Sequence, residues 1–124
     1  MRFLMTTKGG SRTPDAAMMA EMGAFIEEMT RAGVLLATGG LEPGGVRMVS
    51  SGGEITVTDG PFTEAKEAIV SFALVEARSR EEAVELARRF WKIVGDGEGL
   101  IQQVFGPEDA PGDAPGDAPE DGPR

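Results

Sequence analysis

The chain has 124 residues, a formal net charge of −9, and neither cysteine nor histidine. That length holds one domain at most, and the composition excludes a disulfide framework, a thiol nucleophile, a histidine base and the commonest transition-metal ligands. The acidic balance argues against nucleic acid as a partner, since the basic residues are scattered apart from Arg88, Arg89 and Lys92.

Residues 1–7, MRFLMTT, read as a strand that stops at Lys8-Gly9-Gly10. They lack the longer apolar core and cleavage site of a signal peptide, and no apolar run approaches the roughly 18 residues of a membrane span. Cysteine-free and without such segments, the protein is expected in the cytoplasm. Thr13-Pro14-Asp15 predicts a helix start, with Thr13 as N-cap and Pro14 in the first turn. Met18, Met22, Phe25, Ile26 and Met29 follow on one face. Methionine fills irregular gaps, so this stripe reads as core packing in preference to a ligand surface. Gly33 is placed to end the helix in the left-handed conformation.

Val34–Thr38 predicts a second strand, which runs into Gly39, Gly40 and Leu41-Glu42-Pro43. Val46–Val49 and Glu54–Thr58 predict a hairpin around Ser50-Ser51-Gly52-Gly53. The turn Asp59-Gly60-Pro61 leads to a strand over Ile69–Ala77 that is apolar on both faces. Ser79 caps a second helix with Glu82 as its capping-box partner; Ala83, Leu86, Ala87, Phe90, Trp91 and Val94 make its apolar side, and Gly95 closes it. The run Gly95-Asp96-Gly97-Glu98-Gly99 has a phosphate loop's glycines but follows a helix instead of opening one, so it reads as a flexible turn. A last strand is expected over Leu100–Phe105. Residues 107–124 repeat an acidic Asp-Ala-Pro-Gly unit with no aliphatic side chain larger than alanine. They are expected to be a disordered, solvating tail behind a domain of residues 1–106.

The order β-α-β-(hairpin)-β-α-β is the split β-α-β pattern of a ferredoxin-like α+β fold. Two helices cover only one face of such a sheet, yet Ile69–Ala77 is apolar on both and Leu4 opposes Phe3 and Met5. The uncovered face therefore calls for a second copy, as a homodimer whose sheets pack together or join into a barrel. Any small-molecule pocket is expected along that seam.

The residues also carry a resemblance. Ala32-Gly33-Val34-Leu35, Gly40-Leu41-x-Pro43, Ser79-x-Glu81-Glu82-Ala83 and Val104-Phe105-x-Pro107-Glu108-Asp109 frame the specific run Thr58-Asp59-Gly60-Pro61-Phe62-Thr63-Glu64-x-Lys66-Glu67. Over nearly all of residues 1–106 the chain resembles the YCII-related family, in particular its DGPF branch. That resemblance implies a dimeric α/β barrel in a bacterial cytoplasm, with no established reaction. Some relatives look like companions of sigma factors, which implies a regulatory or interaction module as an alternative, and others are suspected enzymes. The enzyme-like members pair a histidine with an aspartate; with no histidine here, that dyad cannot form. The acid and arginine that relatives carry on the last strand correspond to Leu100 and Gln102.

Asp59 admits two readings. Before Gly-Pro its carboxylate suits an Asx-type turn, with Phe62 as an inward anchor and Glu64, Lys66 and Glu67 as a solvated cluster. This structural reading is favoured. In the functional one, Asp59 sits at the pocket mouth as an acid or base for a weak lyase or isomerase. Lys66 then binds a small anionic ligand, Gly39, Gly40, Gly60, Pro61 and Phe62 shape the site, and Arg2 or Arg47 assists. No cofactor is implied, and although Asp59, Glu64 and Glu67 offer oxygen ligands, no loop has the spacing of a calcium site.

Overall fold

The computed structural model describes residues 1–8, 14–42, 44–59 and 68–109. In chain order the elements are β1 (Arg2–Lys8), α1 (Ala16–Arg31), β2 (Leu35–Gly40), β3 (Val46–Ser51), β4 (Glu54–Asp59), β5 (Ile69–Glu76), α2 (Arg80–Val94) and β6 (Glu98–Val104). Four strands form one antiparallel sheet in the order β2-β5-β1-β6, and β3 and β4 form a separate two-stranded ribbon. Because β5 is antiparallel to both β1 and β2, those two run parallel with β5 inserted between them. The result is an α+β fold of an antiparallel sheet with two helices.

The element boundaries depart from the sequence expectation for local reasons. Thr13 lies outside the described residues, and α1 is capped by Asp15, whose carboxylate accepts from the Met18 N–H at 2.8 Å. Pro14 therefore precedes the cap and is not in the first helical turn. At the other end Gly33 takes φ 76°, the left-handed geometry that terminates a helix cheaply only at glycine. Ser79 caps α2, accepting from the Glu82 N–H at 3.1 Å. Glu82 does not close the box onto Ser79: its carboxylate takes the Arg78 backbone N–H at 2.6 Å and the Arg78 guanidinium at 3.1 Å, which lowers its pKa. Replacing Ser79 with alanine is expected to cost about 1 kcal/mol, a fall of several degrees in melting temperature in a thermal scan.

Two glycine stretches outside the predicted strands prove to be strand. Gly39 and Gly40 pair with Phe72 and Ser71, and a Cβ on Gly39 would stand 3.2 Å from the Phe72 ring. Glu98 and Gly99 likewise belong to β6, paired with Lys8 and Thr7, so the glycine run after α2 is shorter as a turn than its composition implies. Beyond β6, Pro107 to Asp109 form a turn in which the Asp109 N–H donates to the Gly106 carbonyl at 3.0 Å. The rest of the predicted tail, and its disorder, lie outside the described residues.

Among the described residues the buried core is small: Phe3, Met29, Val75, Ala77 and Ala83. Of the methionine stripe only Met29 is buried. Met22, Phe25 and Ile26 face the sheet as expected, but across an open space.

Candidate functional site

That space follows from the sequence of each strand. Alternate residues share a face, and on the helix-covered side the ladders set side chains in rows across the sheet. One row holds Val75, Phe3 and Gln103; the next holds Thr38, Ala73, Met5 and Ile101; the last holds Gly40, Ser71, Thr7 and Gly99. Side-chain size falls from row to row. The helices cannot follow the falling floor, so the layer is packed at the Phe3 end and hollow at the Thr7 end.

The hollow has a volume of about 420 Å³. Its walls are Met22, Phe25 and Ile26 of α1 and Leu86, Phe90 and Trp91 of α2, and among the described residues no charged side chain borders it. At its floor the Thr7 and Ser71 hydroxyls meet at 2.5 Å. Each hydroxyl can donate once and accept twice, so the pair leaves one proton and several lone pairs for an occupant. The Thr38 hydroxyl donates to the Phe72 carbonyl at 2.9 Å. Trp91 lies against the glycine edge of β6: a Cβ on Gly97 would stand 2.6 Å from Trp91 Cζ3, and one on Gly99 would stand 2.7 Å from the Thr6 carbonyl oxygen. Those glycines are required by close approach.

Above the hollow a salt bridge joins the helices. Arg89 donates to both carboxylate oxygens of Glu28, at 3.1 and 2.8 Å, and its guanidinium lies 4.9 Å from the centroid of the Phe25 ring. The hydrogen bond first, and the Coulombic attraction second, hold the Glu28 pKa below its ordinary value. A depressed carboxylate contributes stability above its unfolded pKa and loses it as pH falls through the folded one. The gap in melting temperature between wild type and Glu28→Gln should therefore be full above about pH 5 and close on further acidification. Added salt should shrink it at neutral pH, because both side chains are solvent-exposed.

The structure brings together only part of the predicted site. Gly39 and Gly40 border the hollow. Asp59 is the last residue of β4, exposed, paired with Val46 on the ribbon, and is not among the residues bordering the hollow. Gly60, Pro61, Phe62 and Lys66, with Glu64 and Glu67, lie outside the described residues. The hollow is also on the helix-covered side of the sheet, not along the bare-side seam expected from sequence. Arg2 lies in a second, polar groove beside Glu76, 3.9 Å from its carboxylate, and that carboxylate also takes the N-terminal amine at 2.7 Å. Among the described residues no group of three or more acidic side chains is placed to hold a metal ion, and no helix is long and apolar enough to cross a membrane. The Thr7–Ser71 pair and the aromatic walls were not singled out from sequence as a site. The signal was present as the shrinking alternate residues Phe3-Met5-Thr7 and Val75-Ala73-Ser71.

Comparison with known proteins gives a family but no reaction. An uncharacterised protein of Rhizobium meliloti (strain 1021) is 33% identical over 84 residues, 66% of this chain and 68% of that protein. Among solved structures, a 5-chloro-2-hydroxyhydroquinone dehydrochlorinase from Burkholderia phenoliruptrix AC1100, in complex with 2,5-dihydroxybenzoquinone, matches at 18% identity. The match covers 85% of this chain and 94% of that one, with a TM-score of 0.43. The family model of the YCII-related domain matches residues 1–93, and the chain belongs to the YCII-related domain family.

Proposed function

We propose that this protein binds a small, uncharged, largely apolar molecule in the hollow between its helices and sheet. The observation that carries this reading is a space of about 420 Å³ with aromatic and aliphatic walls and one hydroxyl pair at its floor. Left unoccupied, such a hollow forgoes the burial of its aromatic and aliphatic walls, at roughly 25 cal/mol per Å² of apolar surface. Filled with water, it would leave its walls hydrated and offer few polar partners to the water. An apolar occupant with one hydrogen-bonding oxygen or nitrogen resolves both difficulties, and its size suits the usual range of ligand sites. No acid or base borders the hollow among the described residues, so the geometry supports binding ahead of turnover. The strand order supports the ferredoxin-like description of the fold, and the apolar bare face of the sheet supports pairing with a second copy as a dimeric α/β barrel.

The single tryptophan of the chain is Trp91, on the wall of the hollow, and it serves as a built-in reporter. Titration with the neutral dye N-phenyl-1-naphthylamine should change Trp91 emission saturably, at one dye per chain. Native mass spectrometry of protein purified from its own host should retain an added mass. No saturable change with the dye, together with a bare mass, would remove the reading.

A further inference from the structure

We propose that the β3–β4 ribbon is an arm that lies, apolar side down, on the bare sheet face of a second copy of this chain, with the exchange made reciprocally. The inference rests on the pairing of two copies and goes beyond it by assigning what holds them. The ladder Val46↔Asp59, Met48↔Val57, Ser50↔Ile55 puts Val46, Met48, Ile55 and Val57 on one side of the ribbon, 59–64% exposed, with Ser50 among them and Asp59 at the ribbon's end. The opposite side carries Arg47, Ser51, Glu54, Thr56 and Thr58, with Val49 its one large apolar residue. Every residue of both strands is exposed, and the ribbon is hydrogen-bonded to neither edge of the four-stranded sheet. A lone two-stranded hairpin is at best marginal in water, so an amphipathic one needs a support for its apolar side.

The bare sheet face has the complementary character. Its middle holds Leu4, Val70, Phe72, Leu74 and Leu100, with no charged residue between them among the described residues, and Val104 stands in the end row with Arg2 and Glu76. Charges stand only at its two ends, as Arg2 with Glu76 at 3.9 Å and Lys8 with Glu98 at 3.6 Å. An uncharged field between ion pairs has the layout of an interface core with a polar rim. It also gives two strongly acidic chains a largely uncharged place to meet, with Asp59 the acid that the ribbon carries on its docked side. The ribbon and the field belong to the same chain, and among the described residues no element packs over either. A two-fold exchange covers both at once, whereas a foreign partner would have to supply two separate complements.

The areas agree with this. Val46, Met48, Ile55, Val57, Leu100 and Val104 are 36–64% exposed, and together with the partly buried Leu4, Val70, Phe72 and Leu74 they offer on the order of 500 Å² of removable surface. With apolar atoms making up roughly 60% of a typical interface, that corresponds to about 800 Å² per partner, the size of a stable contact.

The absence of cysteine makes the test direct. Met48→Cys protein mixed with Leu100→Cys protein should give the mixed disulfide on oxidation. Val57→Lys should weaken dimerisation at least about tenfold in sedimentation equilibrium, while Thr56→Lys on the polar side should leave it unchanged. A wild-type dimer that ignores Val57→Lys and yields no mixed disulfide overturns the arm and leaves the pairing standing. A wild-type single chain overturns both and points to a foreign occupant. An intramolecular disulfide in the Met48→Cys/Leu100→Cys double variant at high dilution overturns the arm by placing it on its own sheet.

Discussion

Replacing Ala73 with leucine should raise the melting temperature and, in the same protein, eliminate binding of N-phenyl-1-naphthylamine. Ala73 sits mid-sheet between Met5 and Thr38 on the helix-covered side and borders the hollow. In a close-packed interior the added carbons would force side chains off their rotamers at a cost of about 1–3 kcal/mol. Here they enter vacant space and bury apolar surface at about 0.8 kcal/mol per methylene. The expected gain is about 1–2 kcal/mol, or roughly 5–10 °C in a thermal scan. Dye affinity should fall by at least about tenfold, because the leucine occupies the dye's volume. A variant that instead loses stability and still binds the dye would place the open space elsewhere.

At the other end of the same layer the sign reverses. Phe3→Ala should destabilise by about 3–5 kcal/mol, a large part of the roughly 5–15 kcal/mol by which domains are stable. Phe3 is 0% exposed, is clustered with Val75, Ala77 and Ala83, and has the Arg80 guanidinium 6.0 Å from its ring centroid. Val75, Ala77 and Ala83 are too short to collapse into the space a benzyl group leaves. The measurement is a urea midpoint at unchanged slope, so that the loss is assigned to the native state and not to a change in the unfolded one. Phe90→Ala, at the border of the hollow, should cost less than half as much, because that ring already lacks close neighbours on one side.

These opposite expectations mark where sequence reasoning succeeds and where it stops. Element order was legible because its signals are local. Ser79 with Glu82, Gly33 and Gly95 punctuate the helices within a turn of their ends, and the two-sided apolar pattern of Ile69–Ala77 announced a central strand. The hollow was not legible, because it depends on which residues face each other across the sheet. Thr7 and Ser71 are 64 positions apart, and no periodicity within either strand reports that two small side chains share a row. The glycines of Gly39-Gly40 and Gly97–Gly99 were read as breakers for the same reason. Their role is close approach by Phe72, Trp91 and the β1 backbone, which only tertiary packing reveals. A distinctive motif surrounds Asp59, whose carboxylate stands at the end of the ribbon and is not among the residues bordering the hollow. The ribbon itself shows the same split. The alternation of Val46 and Met48 with Arg47 was visible as a pattern, but nothing local could say that the hairpin would leave the sheet.

The graded floor of the sheet has a final consequence. A domain tight at one end and slack at the other has its reserve of free energy where an occupant would sit, and each tenfold rise of free occupant above its dissociation constant adds about 1.4 kcal/mol to the folded state. Degradation in cells follows the unfolded fraction. Abundance of the protein would then track the supply of the molecule it holds, so that turnover by proteases becomes a readout of small-molecule concentration without any catalytic step.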